Sequence, residues 1–203
     1  MLIDTNSPFY AAVAIGSTKV TGMVGRVDSE GAVNVLSYVA VSSADFIRKG
    51  RVYNVDKMTQ CLKNIRKRLE DQINCDIKQV YVALNCQGMR SITHIEERTF
   101  PQRITVQQEL IESLKADNRD KISHDQILID TLPQEYTMGA FSTIEPVGVM
   151  TDRIRAQFLN IVCNASAIET IESCFRKAGL PIVRHTMAAD RLANVMTDEK
   201  ERS

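Results

Sequence analysis

The stretch Val13-Ala14-Ile15-Gly16-Ser17-Thr18-Lys19-Val20 decides the fold, because it places a glycine-containing turn between two apolar runs. Phe9–Ile15 is too short for a helix and predicts a buried strand, and Lys19–Val27 predicts a second strand beyond the turn. A third strand is expected over residues 33–41, after a turn that ends at Gly31. Three successive strands with short turns predict an antiparallel meander.

The turn between the first two strands is a candidate phosphate site. Glycine lets the backbone approach a phosphate closely, and the N–H groups, hydroxyls and ammonium of such a turn are donors to an anion. The predicted nucleotide-phosphate-binding residues are therefore Gly16, Ser17, Thr18 and Lys19. The turn is not a Walker P-loop, because the Gly-x-x-x-x-Gly-Lys spacing is absent and a strand follows. Taken alone, such a sequence is more often only a hairpin turn.

An amphipathic helix and a further strand follow the meander. Asn54 is the expected helix cap, and Asp56 lies near the positive end of the helix dipole. Val80–Leu84 then predicts another buried strand, which gives the order β-β-β-α-β. The apolar residues that repeat at helical spacing are Met58, Cys61, Leu62, Ile65, Leu69 and Ile73.

The next segment has a different pattern and predicts a small α+β module inserted into the larger sheet. Residues 90–97 alternate as an exposed strand does, and residues 105–108 match a capping box before a helix. Gln126–Met138 and residues 153–162 predict two more strands.

The chain then returns to the first sheet. A helix is expected to begin at Asn164 or Ser166 and to end before Gly179 and Pro181. A strand over residues 181–185 and a last helix over residues 187–196 complete the pattern.

The composition is typical of a soluble globular protein, with 44% hydrophobic and 25% charged residues among 203. Lys plus Arg equals Asp plus Glu at 25 each, so no basic field favours nucleic-acid binding. The five cysteines contain no Cys-x-x-Cys pair and the three histidines have no ligand spacing, so we expect free thiols and no metal site. No window approaches the ~18 apolar residues of a membrane span, and residues 1–8 lack the basic start of a secretory signal. We therefore expect a cytoplasmic protein.

Several segments together resemble the FtsA family of actin-like bacterial division proteins. The turn with its flanking strands resembles the first phosphate loop of the actin, Hsp70 and sugar-kinase superfamily. The run Leu132-Pro133-Gln134-Glu135-Tyr136 and the order of the matching segments are more specific than the phosphate loop. Those segments are residues 47–52, 80–84, 132–136, 145–148 with 153–156, 176–180 and 195–201.

This resemblance implies an α/β fold with an actin-like (ribonuclease H-like) mixed sheet and an inserted small α+β subdomain of the SHS2 type. Residues 1–86 and 164–203 would form subdomain 1A, and residues 87–163 would form the inserted subdomain 1C. It also implies ATP with Mg²⁺ in the complete protein, bound weakly or not at all by this fragment. The protein would be at most a weak ATPase, and no catalytic residue is assigned.

The resemblance further implies the partners of a division scaffold. One partner is FtsZ, contacted through a part outside this chain. The others are further copies of the protein in a filament and late division proteins, which would bind subdomain 1C. The inner face of the cell membrane at the division site would be contacted through a helix that is also outside this chain, and no nucleic acid is expected.

Two features depart from the family pattern. Ala14 stands where the family usually carries an acidic residue near the metal-bound phosphates. Losing that carboxylate removes a way to hold Mg²⁺ through its waters, which affects hydrolysis more than binding. The chain also ends just before the family's second phosphate loop.

Two other functions remain open at this point. One is the related actin-like assembly protein of type IV pili. The other is a small-molecule kinase of the same superfamily, which would need a carboxylate base and a cleft between two complete domains. The basic residues Lys63, Arg66, Lys67 and Arg68 are expected to be the solvated face of a helix.

Overall fold

The structure is a computed structural model that describes residues 9–28, 30–85 and 88–187, Met187 by its backbone alone. The chain divides into two compact units, one of residues 1–87 with 166–203 and one of residues 88–165. The last helix that the sequence predicts, over residues 187–196, lies outside the described residues apart from Met187, which ends a strand.

Single helices separate runs of strands along the chain. In chain order, the elements are β1 (Phe9–Ile15), β2 (Lys19–Val27), β3 (Val33–Ser42), β4 (Ile47–Arg48), β5 (Arg51–Val52), α1 (Val55–Ile73), β6 (Val80–Leu84), β7 (Arg90–Thr105), α2 (Gln108–Asp120), β8 (Gln126–Met138), β9 (Phe141–Thr143), β10 (Met150–Asn164), α3 (Ala165–Lys177) and β11 (Ile182–Met187).

The first unit contains a five-stranded mixed sheet in the order β11-β6-β1-β2-β3. The pairs β1/β2 and β2/β3 are antiparallel, whereas β1/β6 and β6/β11 are parallel. The predicted meander is therefore confirmed, and α1 supplies the connection that a parallel partner for β1 requires. The same register, with Ile15 opposite Val20, brings the predicted phosphate turn to the end of β1.

Helix α1 covers one face of this sheet. Asn54 caps it as predicted, since its Oδ1 accepts the N–H of Lys57 at 3.0 Å. The contact with β2 is close: a Cβ built on Gly22 would lie 2.3 Å from Cγ2 of Ile65. Gly22 therefore sets the distance between the helix and the sheet.

Helix α3 ends as the sequence predicts. Gly179 has φ +69, a left-handed conformation that glycine adopts without strain. The N–H of Leu180 donates to the carbonyl of Phe175 at 3.0 Å, and that of Gly179 to the carbonyl of Arg176 at 3.1 Å. These two bonds form a Schellman motif, which satisfies the last carbonyls of the helix before the chain enters β11.

The second unit is an antiparallel sheet in the order β7-β10-β8-β9, with α2 packed against β7. The strand pairs shift register near Gln157, where Pro133 lies opposite Phe158. Proline has no N–H to donate, and a bulge is one of the few places a strand tolerates it. The core residues are Val106, Ile111, Leu114, Tyr136, Met138, Ile154, Ala156 and Phe158.

The predicted capping box at residues 105–108 is wrong. Thr105 is the last residue of β7, and the helix cap is Gln107, whose side chain makes no capping hydrogen bond. The backbone N–H of Val106 donates instead to the carbonyl of Val149 at 2.9 Å. This tertiary contact keeps the chain extended where the local sequence favours a cap, so β7 is longer than the predicted strand over residues 90–97.

The second unit also buries a polar pair. Asn118 and Asn160 are fully buried and exchange two side-chain amide hydrogen bonds of 2.8 and 2.7 Å. Thr131 donates its hydroxyl to Oδ1 of Asn160 at 2.9 Å. Because each amide satisfies the other, the pair links α2 to β10 without leaving these buried donors and acceptors unpaired.

Candidate phosphate-binding site

The predicted phosphate turn is a tight hairpin between β1 and β2. The N–H of Gly16 donates to the carbonyl of Lys19 at 3.0 Å, and the side chains of Ser17, Thr18 and Lys19 are exposed. A Cβ built on Gly16 would lie 3.0 Å from that carbonyl oxygen, closer than real side chains come without a shift. A larger residue at position 16 would therefore have to push this carbonyl outward by a few tenths of an ångström, and the Gly16 N–H is used inside the turn.

Ser43, a buried residue directly after β3, supports the turn through two hydrogen bonds. The N–H of Ser43 donates to the carbonyl of Thr18 at 3.1 Å, and its hydroxyl donates to the carbonyl of Gly16 at 2.7 Å. Ser43 is 0% exposed. Two carbonyls of the turn are thereby engaged on the protein side. No pattern in the sequence marks Ser43, because its partners lie more than twenty residues away and are backbone atoms.

The second contact comes from the β4–β5 hairpin, residues 47–52, which we call the basic hairpin. The N–H of Gly50, at the tip of this hairpin, donates to Oγ of Ser17 at 2.8 Å. The hydroxyl of Ser17 is thus an acceptor toward the protein and keeps its own proton to donate outward. The structure brings the four predicted residues Gly16–Lys19 together and adds Ser43 and Gly50, which the sequence did not predict.

The turn matches the needs of a phosphate group. Among the described residues, the N–H groups of Ser17 and Thr18 have no acceptor. Together with the two hydroxyls and the Lys19 ammonium they form a set of donors, while Ser43 engages the carbonyls of Gly16 and Thr18. Such a set can bind an anionic oxygen.

The turn does not match the needs of a metal ion. Mg²⁺ prefers carboxylate and water oxygens, and the residues of the turn are glycine, serine, threonine and lysine. Ala14, next to the last residue of β1, lies opposite Thr21 and Ala83 and also supplies no carboxylate. In the part of the chain that the structure describes, no group of three metal-ligating side chains occurs. The turn therefore supplies no carboxylate to a metal ion.

Three of the four thiols that the structure describes have the burial of core residues. Cys61, Cys163 and Cys174 are buried and free, and Cys75 is exposed and free, whereas Cys86 lies outside the described residues. Burial raises the pKa of the Cys61 thiol to about 11 and also raises that of Cys174. A raised pKa leaves little of the nucleophilic thiolate form at neutral pH.

Comparison with solved structures identifies the class of fold. The chain is similar to a chain of a PilM-PilN type IV pilus biogenesis complex, with a TM-score of 0.55 and 15% identity, over 91% of this chain and 51% of that one. The fold is therefore α/β and actin-like, with a mixed sheet, as predicted. No protein-family model matches the chain.

Comparison of sequences then narrows the relationship to FtsA. The chain is 27% identical over 189 residues to cell division protein FtsA of Buchnera aphidicola subsp. Schizaphis graminum, covering 90% of this chain and 44% of that protein. It is 25% identical over 210 residues to FtsA of Escherichia coli K12, covering 99% of this chain and 48% of that protein. The predicted resemblance to FtsA is confirmed, and the chain spans about half the length of these relatives.

Proposed function

We propose that this chain is part of an actin-like, ATP-binding scaffold of bacterial cell division. The scaffold joins an FtsZ ring to the cytoplasmic face of the membrane, polymerises, and recruits later division proteins. The observation that carries the proposal is the sequence similarity to FtsA. The alignment with the Escherichia coli protein covers 99% of this chain and therefore includes both compact units.

The proposed nucleotide site is the turn of Gly16, Ser17, Thr18 and Lys19. Its exposed hydroxyls, N–H groups and ammonium would bind the β- and γ-phosphates of ATP, which is expected to carry Mg²⁺. The side of the turn that faces the protein is fixed by Ser43 and Gly50. This chain alone would bind ATP weakly or not at all, and the complete protein would be at most a weak ATPase.

The second unit is proposed to be the inserted subdomain 1C, and the first unit subdomain 1A. Apolar side chains around β9 support a role for the second unit in protein contacts. Phe141, Ile144, Val147 and Met150 are 54%, 72%, 53% and 60% exposed. Exposed apolar side chains that follow one another so closely are typical of a protein-binding surface. Filament neighbours and late division proteins are the proposed partners.

Contacts with FtsZ and with lipid are assigned to parts of the complete protein outside this chain. Within the described residues, no helix has both the length and the apolar character needed to cross a membrane. The proposed location is the inner face of the membrane at the division site, where the protein would be peripheral.

Two alternatives receive less support. The similarity to the PilM-PilN structure is one of fold at 15% identity, whereas the sequence relatives reported above are FtsA proteins. A small-molecule kinase would need a catalytic carboxylate near the phosphates, and the position of β1 that precedes the turn carries Ala14.

The test is co-sedimentation of the complete protein with lipid vesicles and FtsZ, with and without ATP. We expect FtsZ to sediment with vesicles only when the protein is present, and ATP to increase the amount. Lys19→Ala should reduce the effect of ATP, because it removes the ammonium of the turn. Lys63→Ala, which removes an exposed lysine from α1, is the matched control. Sedimentation of FtsZ that does not depend on the protein would contradict the proposal.

A further inference from the structure

We propose that the basic hairpin, residues 47–52, is a second phosphate-binding element that supplies positive charge to a triphosphate beside the Gly16–Lys19 turn. Phosphate recognition by this chain is therefore independent of a divalent cation. The inference rests on the proposed function, because it concerns the same nucleotide.

The first observation is the direct link between the two elements. The Gly50 N–H donates to Oγ of Ser17 at 2.8 Å, so the tip of the basic hairpin touches the tip of the phosphate turn. Gly50 itself is buried, whereas Arg48, Lys49 and Arg51 around it are exposed. An anion held by the hydroxyl of Ser17 would therefore lie within reach of long cationic side chains.

The second observation is that these cations lack a carboxylate partner among the described residues. In the part of the chain that the structure describes, Lys19, Arg48, Lys49 and Arg51 form no ion pair. Residues 44–55 contain one acid, Asp45, and within the described part of the chain that side chain forms no ion pair either. By contrast, several cations elsewhere have a carboxylate partner, as Arg66 has in Glu70 at 2.8 Å.

The third observation is that the basic hairpin has features that oppose its own stability. Arg48 lies directly opposite Arg51 in the β4/β5 pair, and like charges in this position repel. Lys49 has φ +50 at a turn position that favours asparagine or glycine. Residues held in such uncommon backbone conformations cluster at active sites and ligand-binding sites.

The basic hairpin also has room for a ligand. Arg48, Lys49, Arg51 and Tyr53 line a groove of about 360 Å³. The Arg48 guanidinium lies over the Tyr53 ring, with its central carbon 6.0 Å from the ring centroid, at the outer limit of a cation–π contact. Such a contact leaves the N–H groups of a guanidinium free to bind oxygen.

The basic hairpin supplies positive charge that the phosphate turn cannot obtain from a carboxylate-bound Mg²⁺. A bound triphosphate needs positive charge, which in many nucleotide sites comes from Mg²⁺ held by carboxylates. In this chain the turn, residues 16–19, offers no carboxylate. Three cations on the basic hairpin with Lys19 provide the compensating charge directly.

The experiment is an NMR titration of the ¹⁵N-labelled 203-residue chain with inorganic tripolyphosphate in the presence of EDTA. NMR shifts detect weak binding, which is all that this chain is expected to show. We expect the amides of Ser17, Thr18 and Gly50 to shift together. The apparent affinity should exceed that for inorganic orthophosphate at equal ionic strength, and adding Mg²⁺ should not strengthen it.

A matched pair of variants distinguishes the effect of the basic hairpin on binding from the effect of the net charge of the chain. The test variant carries Arg48→Gln, Lys49→Asn and Arg51→Gln. The control carries Lys63→Gln, Lys67→Gln and Arg68→Gln on the exposed side of α1 and loses the same charge. We expect the test variant to bind tripolyphosphate about tenfold more weakly than the control, since each exposed ion pair contributes only a few-fold. The single variant Arg51→Gln, which leaves the strained turn untouched, should lose a few-fold.

Three results would overturn the proposal: equal affinity of the two triple variants, binding that requires Mg²⁺, or the absence of shifts at both the turn and the hairpin. None of them depends on FtsZ or on vesicles. A protein that binds tripolyphosphate as described but fails to sediment FtsZ with vesicles would contradict the proposed function alone.

Discussion

The hydrogen bond between Ser17 and Gly50 provides a direct test of the site, because a substitution that deletes one oxygen atom removes it. Ser17→Ala deletes the oxygen that accepts the N–H of Gly50 at 2.8 Å. Gly50 is buried, so its N–H would lose its partner without gaining full access to water. An amide left unpaired in this way costs about 1–3 kcal/mol. Because Ser17 is exposed and water can partly replace it, we expect about 1 kcal/mol.

Native-state hydrogen exchange of the Gly50 amide measures this cost where it arises. A local loss of about 1 kcal/mol corresponds to exchange that is roughly fivefold faster, given a factor of ten for each 1.4 kcal/mol. Ser17→Thr keeps a hydroxyl at the same place and should retain most of the protection. Thr18→Ala is the control, since among the described residues the Thr18 hydroxyl makes no hydrogen bond.

Unchanged Gly50 exchange in Ser17→Ala would refute this reasoning. The same conclusion would follow if Thr18→Ala accelerated exchange as much as Ser17→Ala, because the effect would then come from the turn in general. Either result would also remove the link on which the joint phosphate site of turn and hairpin depends.

Three further predictions concern stability, each measured by urea denaturation of the chain. Gly22→Ala should destabilise the first unit by about 1–3 kcal/mol, because its Cβ would meet Cγ2 of Ile65 at 2.3 Å, and the added change Ile65→Leu should restore part of the loss. An unaffected Gly22→Ala would contradict the close packing of α1 on β2. Asn160→Ala should destabilise the second unit by roughly 2 kcal/mol, because it leaves the buried amide of Asn118 unpaired, and a neutral effect would show that water replaces the bond. Burial lowers the pKa of His185 below its usual value near 6.5, so the unfolded chain takes up a proton before the folded one does. Stability should therefore fall as the pH drops through about 6.5, by less in His185→Gln, and equal pH dependence of the two proteins would exclude this cause.

Much of the first unit could be predicted from sequence because its patterns are local. The strands Phe9–Ile15 and Lys19–Val27 have the predicted bounds, since short apolar runs separated by Gly16 leave few alternatives. The helix begins after Asn54, whose side chain caps a neighbouring N–H. The end of α3 follows from Gly179, because a left-handed residue closes a helix in a defined way.

The features that the sequence did not predict depend on contacts between distant residues. The two-residue strands of the basic hairpin are too short to alternate, and Lys49-Gly50 is a weaker turn signal than Asn-Gly. Ser43 supports the phosphate turn through bonds to backbone carbonyls, and because every residue has a carbonyl, no sequence pattern predicts these bonds. The predicted capping box at Thr105 does not form, because the N–H of the next residue, Val106, donates to Val149 in a loop more than forty residues later. The sequence therefore predicted the hairpin turn but not the elements that hold it.

The central claim is that the complete protein acts at the division site, and its location in living cells tests this most directly. A fluorescent fusion of the complete protein, expressed at its natural level in the bacterium that makes it, should form a band at midcell that disappears when FtsZ is depleted. A midcell band that persists without FtsZ, or a signal at the cell poles together with the type IV pilus machinery, would contradict the account.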